Sequence, residues 1–369
     1  MSDEINTQAV IEEATAKSEA VKEIPAGYVN LLISTHGAYD CPASFHIRNY
    51  DINEAFELGS IAPEEMPVKI CESLQRLIWE PEADIRNMLE GEVTEMVIKF
   101  YVSFYQRYIK DLDYAKYMTE ADKKWVIDNV YGGHETQAYK DWLLGVETGR
   151  VPLKFDIDLT KVRFHKVPSE PQRTVHYSKP VIDPNTFEET PFSCDFGLPK
   201  FGDAAIVQLA MEKEFANEDK RYATTYANYK HNQEVDRRLL NGEKVDSNSK
   251  FYIPDNELRE VKKYELRKTK FTMDMMKGMY IKKIDGKDVS DLPLAERIKL
   301  VNEDHRIDYN CWQTVSSEFQ NLAVGPINKI EINNPITGGK SEIDFTFRAL
   351  DLLAHIKNFR SDNADVKLV

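Results

Sequence analysis

Cysteine is scarce in this chain of 369 residues, and the four present, Cys41, Cys71, Cys194 and Cys311, lie far apart without paired spacing. That excludes a disulfide framework or a cysteine-based zinc module read from spacing, and it makes a reducing compartment the simpler expectation. Positive charge is in deficit too. Lys and Arg number 48 against 62 Asp and Glu, and the formal net charge of −14 argues against a chain-wide affinity for DNA or anionic lipid. A local basic patch remains compatible with this balance. No apolar run is long enough for a membrane-spanning helix. The opening stretch MSDEINTQAVIEEATAKSEAVKEIPAG is acidic and polar where a secretory signal needs a basic segment and an apolar core, so a cytoplasmic protein is expected. Short catalytic signatures are missing as well: there is no H-E-x-x-H, G-x-S-x-G, G-x-G-x-x-G or acidic calcium loop. Their absence lowers the expectation of an enzyme but leaves open a site assembled from distant residues.

The chain does have 42% apolar residues, enough for a sizeable core, in a length that suits two or three domains. The fold class expected is α+β, in five segments. Residues 1–27 form an N-terminal arm, either a weakly amphipathic helix through Val10, Ile11 and Ala14 or, preferably for an isolated chain, a solvated tail. Residues 28–150 read as a mainly helical domain. YVNLLIS from Tyr28 is a buried strand or helix segment, Asp51 caps a helix from Ile52 that Gly59 ends, and Val68, Ile70, Cys71, Leu74, Leu77 and Ile78 line one face of a second. VTEMVIKFYVSFYQRYI, from Val93 to Ile109, is apolar on nearly every side and predicts a central helix. A capped helix starts at Thr119 with Asp122 in its first turn, and QAYKDWLLGVETG gives another, ended by Gly145 or Gly149.

Residues 151–200 switch to period two, with Leu153, Phe155, Ile157 and Leu159 on one face and RTVHYSKPVI as a second strand, before Pro180, Pro184 and Pro191 break up the next segment. This is a small β-rich unit. Residues 201–275 predict a long helical hairpin: no proline occurs from Gly202 to Gly242, and a second charged helix returns after the linker GEKVDSNSK. Its basic stretch Arg259 to Lys270 reads as a solvated face. The first helix thins to an aromatic seam of Phe215, Tyr222, Tyr226 and Tyr229, which suits helix pairing or a partner contact better than a thick core. Residues 276–369 complete a C-terminal α+β module: strand MYIKKI, turn DGKDV, helices PLAERIKLVNEDH and DYNCWQTVSSEFQNLA, strands NKIEIN and EIDFTF, and helix ALDLLAHIKNF.

Within that module Asn334-Pro335-Ile336-Thr337-Gly338-Gly339-Lys340-Ser341 is one glycine short of a phosphate-binding loop. Such a loop needs a helix after it, whereas Ile343, Phe345 and Phe347 alternate with polar residues, as Ile330 and Ile332 do before it. The run is therefore expected to be a hairpin tip of Asn334, Pro335, Thr337, Gly338 and Gly339, with the glycines supplying positive φ. His36, Cys41 and His46, with Asp40 between, are the nearest thing to a metal constellation, but a loop histidine and a buried thiol are favoured. Cys311, six residues after His305, falls in an apolar period with Val315 and Phe319 and reads as an inert core thiol. No catalytic, metal or cofactor site is assigned.

Three stretches are similar to a known family. SFHIRNYDINEAFELGS with the helix that carries Cys71 and VTEMVIKFYVSFYQ, then FDIDLTKVRFHKVPSEPQRTVHY, and then the span from IKKIDGKDV to SEIDFTF resemble, over about two thirds of the chain, the base-plate hub proteins of contractile-tailed bacteriophages, in particular the T4-like phages. The long hairpin has no counterpart in the small members of that family. Where some relatives carry a C-P-x-C-G knuckle at the closing hairpin, this chain retains Pro335 and Gly338 but has Asn334 and Thr337 in the cysteine places. The resemblance thus implies a tip that binds no zinc. It also implies a structural component of a phage tail base plate or hub, not an enzyme, assembled in the host cytoplasm and residing in the virion. Its partners would be other tail proteins in a multi-subunit assembly, with no membrane or direct nucleic-acid contact and no cofactor. The alternatives are a tail assembly chaperone absent from the mature particle and an enzyme with a dispersed active site.

Overall fold

A computed structural model describes residues 24–353 except 40, 63–64, 148, 168–171, 183–184, 243–249 and 351, so nearly all of the expected arm and most of the expected last helix lie outside the described residues. The fold is α+β, with helices and several small antiparallel sheets. Strands β1 (Tyr28–Leu32) and β2 (Ser44–Arg48) pair antiparallel with Val29 opposite Ile47. Helix α1 (Ile52–Ser60) starts as expected: Asp51 accepts from the Glu54 amide while Glu54 reaches back to the Asp51 amide. This reciprocal box satisfies two amides that the first turn otherwise leaves open. Helix α2 (Met66–Gln75) ends earlier than the apolar period suggests, because Leu77 and Ile78 turn back to bridge β2, with Ile78 opposite Ile47.

Helix α3 (Glu90–Phe104) is central, with Val93, Met96, Val97, Ile98, Phe100 and Tyr101 buried. It does not continue to Ile109. Arg107 forks onto Asp158 at 2.8 and 2.5 Å, and the chain enters strand β3 (Tyr108–Asp113), which pairs with β4 (Lys154–Asp158). Two linked ion-pair hydrogen bonds and a sheet ladder outweigh the helical run of aromatics. Helices α4 (Glu120–Val130) and α5 (Gln137–Glu147) follow, α4 with the expected Thr119 cap.

Strands β5 (Thr174–Ile182) and β6 (Glu189–Gly197) form a nine-residue antiparallel ladder. Pro180 and Pro191 do not break it: they face each other in the ladder, beyond the part of β6 that β7 covers. β5 is the edge of the sheet and β6 is uncovered on its other side at Pro191, so both missing amide donors are tolerated. Pro184 lies outside the described residues. Next come the two long helices, α6 (Phe201–Leu240) and α7 (Asp255–Tyr280), and only then β7 (Ile281–Ile284), which returns to pair with β6, and β8 (Lys287–Asp288). The hairpin is thus inserted between neighbouring strands of one sheet. Asp285 and Gly286, with φ of 47° and 77°, make the tight β7–β8 turn that an Asp-Gly pair favours.

Helices α8 (Leu294–Glu303) and α9 (Tyr309–Glu318) cover that sheet, and β9 (Lys329–Asn333) pairs with β10 (Lys340–Asp344). One apolar cluster joins α3, β1 to β4, the start of α6 and the β9–β10 hairpin; a second lies between β5–β7 and α9. At the root of the hairpin Arg297 of α8 is buried, donating to Asp203 of α6 at 2.5 Å and to the carbonyls of Met279 and Leu292. Beside it, burial pushes the Lys282 ammonium down to about 8.

Candidate interaction surface

An α-helix rises 1.5 Å per residue, so the 40 residues of α6 extend about 60 Å. Its first two turns join the main core through Phe201 and Ala205, and the rest pairs with α7. The pairing consumes much of the aromatic seam. Phe215 is fully buried, edge-on to Tyr264 and Phe271, which removes it as a partner contact. Tyr222 and Tyr226 also meet Tyr264, one tilted and one edge-on, with centroids 5.4 and 5.5 Å away, and are half-buried, as is Tyr229, whose hydroxyl accepts from Gln233. Tyr222 lines an open groove of about 560 Å3 with Arg221, Thr225, Glu257, Arg259 and Lys263.

Charged groups lock the register beside this seam. Asp219 accepts from Lys268 at 2.5 Å and from the Tyr264 hydroxyl, Arg267 pairs with Glu218, and Lys230 pairs with Glu265. Burial pushes the Asp219 carboxyl up, but the Lys268 and Tyr264 hydrogen bonds outweigh it and hold the group below its ordinary range. The basic stretch 259–270 is therefore partly committed to α6, through Arg267 and Lys268, instead of being wholly solvated.

The far end of the hairpin carries apolar residues that sequence reasoning did not single out. Asn232 clasps the backbone of Phe251, accepting from its amide at 2.8 Å and donating to its carbonyl at 2.9 Å. The His231 ring sits edge-on to Phe251 at 5.0 Å, and Lys250 pairs with Asp236. This holds the segment entering α7 against α6 and leaves Tyr252 89% and Leu240 88% exposed, with Phe251 and Leu239 partly so. At this end Arg238 reaches Glu120 of α4, 3.8 Å away. The available sequence signal was the pair of apolar dipeptides, Leu239-Leu240 and Phe251-Tyr252, bracketing a polar linker.

The β9–β10 tip behaves differently. Asn334 is buried, and its carboxamide nitrogen lies 2.6 Å from Asp122, 2.8 Å from the Tyr114 hydroxyl and 2.9 Å from Ser341. Its carbonyl oxygen accepts from the amides of Ile336 and Thr337, and the Thr337 hydroxyl accepts from the Gly339 amide. The tip is a tether onto the cap of α4. Burial pushes the Asp122 carboxyl up, yet bonds from the Thr119 amide and hydroxyl, Asn334 and Tyr114 prevail and hold it below its usual value. Gly338 has the expected positive φ of 71°; Gly339 does not. Pro335 is half-buried.

His36 is exposed at φ 48°, Cys41 is buried with its thiol directed at the Pro42 carbonyl, and His46 lies 2.6 Å from Glu80. These side chains are directed to separate partners, and Asp40 lies outside the described residues. Among the described residues no group of three or more His, Cys, Asp or Glu side chains is placed to hold a metal ion. Cys311 is buried as expected, but in contact with another sulfur: its Sγ is 3.8 Å from that of Cys194. In comparisons with known proteins, the chain matches no family model, no curated protein and no solved structure.

Proposed function

We propose that this chain is an assembly protein that works through protein–protein contacts, with the far end of the α6–α7 hairpin as its principal contact. The observation that carries the reading is the display of Leu240 at the end of α6 and of Tyr252, whose neighbour Phe251 has its backbone pinned by Asn232. Covering such side chains is worth about 1.5–3 kcal/mol each, and a pinned backbone loses little further entropy on docking. The assembly we favour is the contractile phage tail, with the chain as a structural component of the base plate or hub; this part rests on the sequence resemblance. A tail assembly chaperone would use the same surface and differ in fate.

Two measurements test the proposal. Mass spectrometry of purified phage particles is expected to find the chain in stoichiometric amount; its absence from particles, with binding to tail proteins in infected cells, refutes the structural role in favour of the chaperone. Leu240→Asp with Tyr252→Asp is expected to leave the fold intact and to reduce incorporation or partner binding at least tenfold. Unaltered incorporation overturns the hairpin end as the contact.

A further inference from the structure

The two cysteines in contact are held by elements on either side of the inserted hairpin. Cys194 stands on β6, opposite Tyr177 of β5 and Ile284 of β7. Cys311 is in the first turn of α9, its amide bonded to the capping Asp308 carboxylate at 2.8 Å. Both are fully buried in the second core, among Val175, Phe196 and Val315. Their sulfurs are 3.8 Å apart although the residues are 117 positions apart in the chain. A disulfide has S–S of about 2.05 Å, so closure needs an approach of about 1.8 Å, within reach of small side-chain adjustments. Cys41 and Cys71 lie in the other core, where burial pushes both thiols up, Cys71 to about 11.

We infer that Cys194 and Cys311 form a latent disulfide site, closed by hydrogen peroxide and reopened by a dithiol, which fastens β6 to α9 and so clamps the root of the hairpin. The chemistry balances. The Cys311 sulfur attacks peroxide, taking one oxygen as a sulfenic acid while the other leaves as hydroxide and is protonated to water. The Cys194 sulfur then attacks the Cys311 sulfur, the S–O bond breaks, and a second water departs with the Cys194 proton. Two thiols and one peroxide give one disulfide and two waters. Either thiol can donate across the 3.8 Å contact; the contact with Cys194, with Lys179 and Lys277 nearby, holds Cys311 below its ordinary range despite burial, which favours Cys311 as the first sulfur oxidised, and attack from Cys194 would give the same products. Burial also selects the reagent, since a peroxide is small enough to enter on local opening and an aromatic disulfide probe is not. Neither the contact nor its chemistry depends on the proposed assembly role.

The test is peptide mapping of the folded, full-length protein after exposure to excess hydrogen peroxide. The expected result is loss of two hydrogens, a cross-linked peptide pair joining Cys194 to Cys311, and reversal by dithiothreitol. The bridge encloses both long helices, so the oxidised protein should melt roughly 5 °C higher. Cys194→Ser and Cys311→Ser each abolish the cross-link, whereas Cys41→Ser with Cys71→Ser retains it. Oxygen adducts without a cross-link, a bridge through another cysteine, or no reaction of the folded protein would each overturn the inference. If either serine variant fails to fold, the wild-type peptide map decides alone.

Discussion

Replacing Asn334 by Ala removes one carboxamide that serves two structures at once. On one side the Asn334 nitrogen donates across to Asp122 and lies within bonding distance of Tyr114 and Ser341; on the other its oxygen holds the amides of Ile336 and Thr337 in the turn. A hydrogen bond to a charged group contributes about 1.5–3 kcal/mol and a neutral one about 0.5–1.5 kcal/mol. Asp122 retains Thr119 and Tyr114, so the charged group is not orphaned, and the expected loss is about 3 kcal/mol. Urea unfolding followed by circular dichroism should show the midpoint falling by roughly 1 M with the slope unchanged. The pH dependence has a definite sign. Asp122 is held below its unfolded value, so its stabilisation is present above the ordinary carboxylate pKa and disappears as pH falls through the lower folded value. The Asn334→Ala deficit should therefore be largest near neutrality and shrink below about pH 4. A deficit under about 0.5 kcal/mol at neutral pH, or one that grows in acid, would refute the tether.

Arg297→Ala leaves the partly buried Asp203 without its partner and the Met279 and Leu292 carbonyls without their donor, and calorimetry should register a loss of about 2–3 kcal/mol. Lys282→Met should act oppositely: the folded ammonium sits near 8, so the wild type is penalised below that pH and relieved as pH rises towards 10.5. The variant is then expected to melt higher at pH 7, by about 1–3 kcal/mol in stability, with the advantage fading above pH 9. Gly91→Ala would place its new carbon 2.3 Å from the Val324 carbonyl oxygen, and should cost at least about 3 kcal/mol. Gly132→Ala, at φ +70° in open space, should cost only about 1 kcal/mol by the same denaturation assay.

The features legible in the sequence were local. Asp51 and Thr119 each stand three residues before an acidic side chain that completes the cap, and the 40-residue α6 lacks proline throughout. The sites that sequence reasoning missed depend on distant partners. Residues 105–109 continue an apolar helix by composition, and only Asp158, 51 positions beyond Arg107, supplies the fork that draws them out of it. Asn334 looks like a substituted position in a hairpin because its principal partner, Asp122, is 212 residues earlier. Phe215, Tyr222 and Tyr226 follow one seam in sequence and all meet Tyr264 on the returning helix, but Phe215 is also covered by Phe271, a contact distant in the chain. Leu240 and Tyr252 give no period at all, since residues at a hairpin end face no regular neighbour.

The insertion of the hairpin between β6 and β7 joins these observations mechanically. An appended hairpin would swing on one flexible connection, but this one leaves the sheet after Gly197 and re-enters it at Ile281, so each end is fixed by an adjoining strand. Its two roots are then tied to the same helix: Asp203 near the start of α6 is held by Arg297, and Gly278 near the end of α7 lets Ile298 of α8 approach to where a Cβ would be only 2.4 Å away. A displacement at the exposed tip therefore loads the sheet and α8 through the roots, and α4 through the Arg238–Glu120 pair. Because β6 and α9 also meet at the Cys194–Cys311 contact, the rigidity of that lever should depend on how this second core is packed, far from Leu240 and Tyr252. Gly278→Ala tests the coupling: hydrogen exchange should speed up in β7 and α8 as well as in the last turns of α7, whereas an isolated hairpin would confine the change to α7.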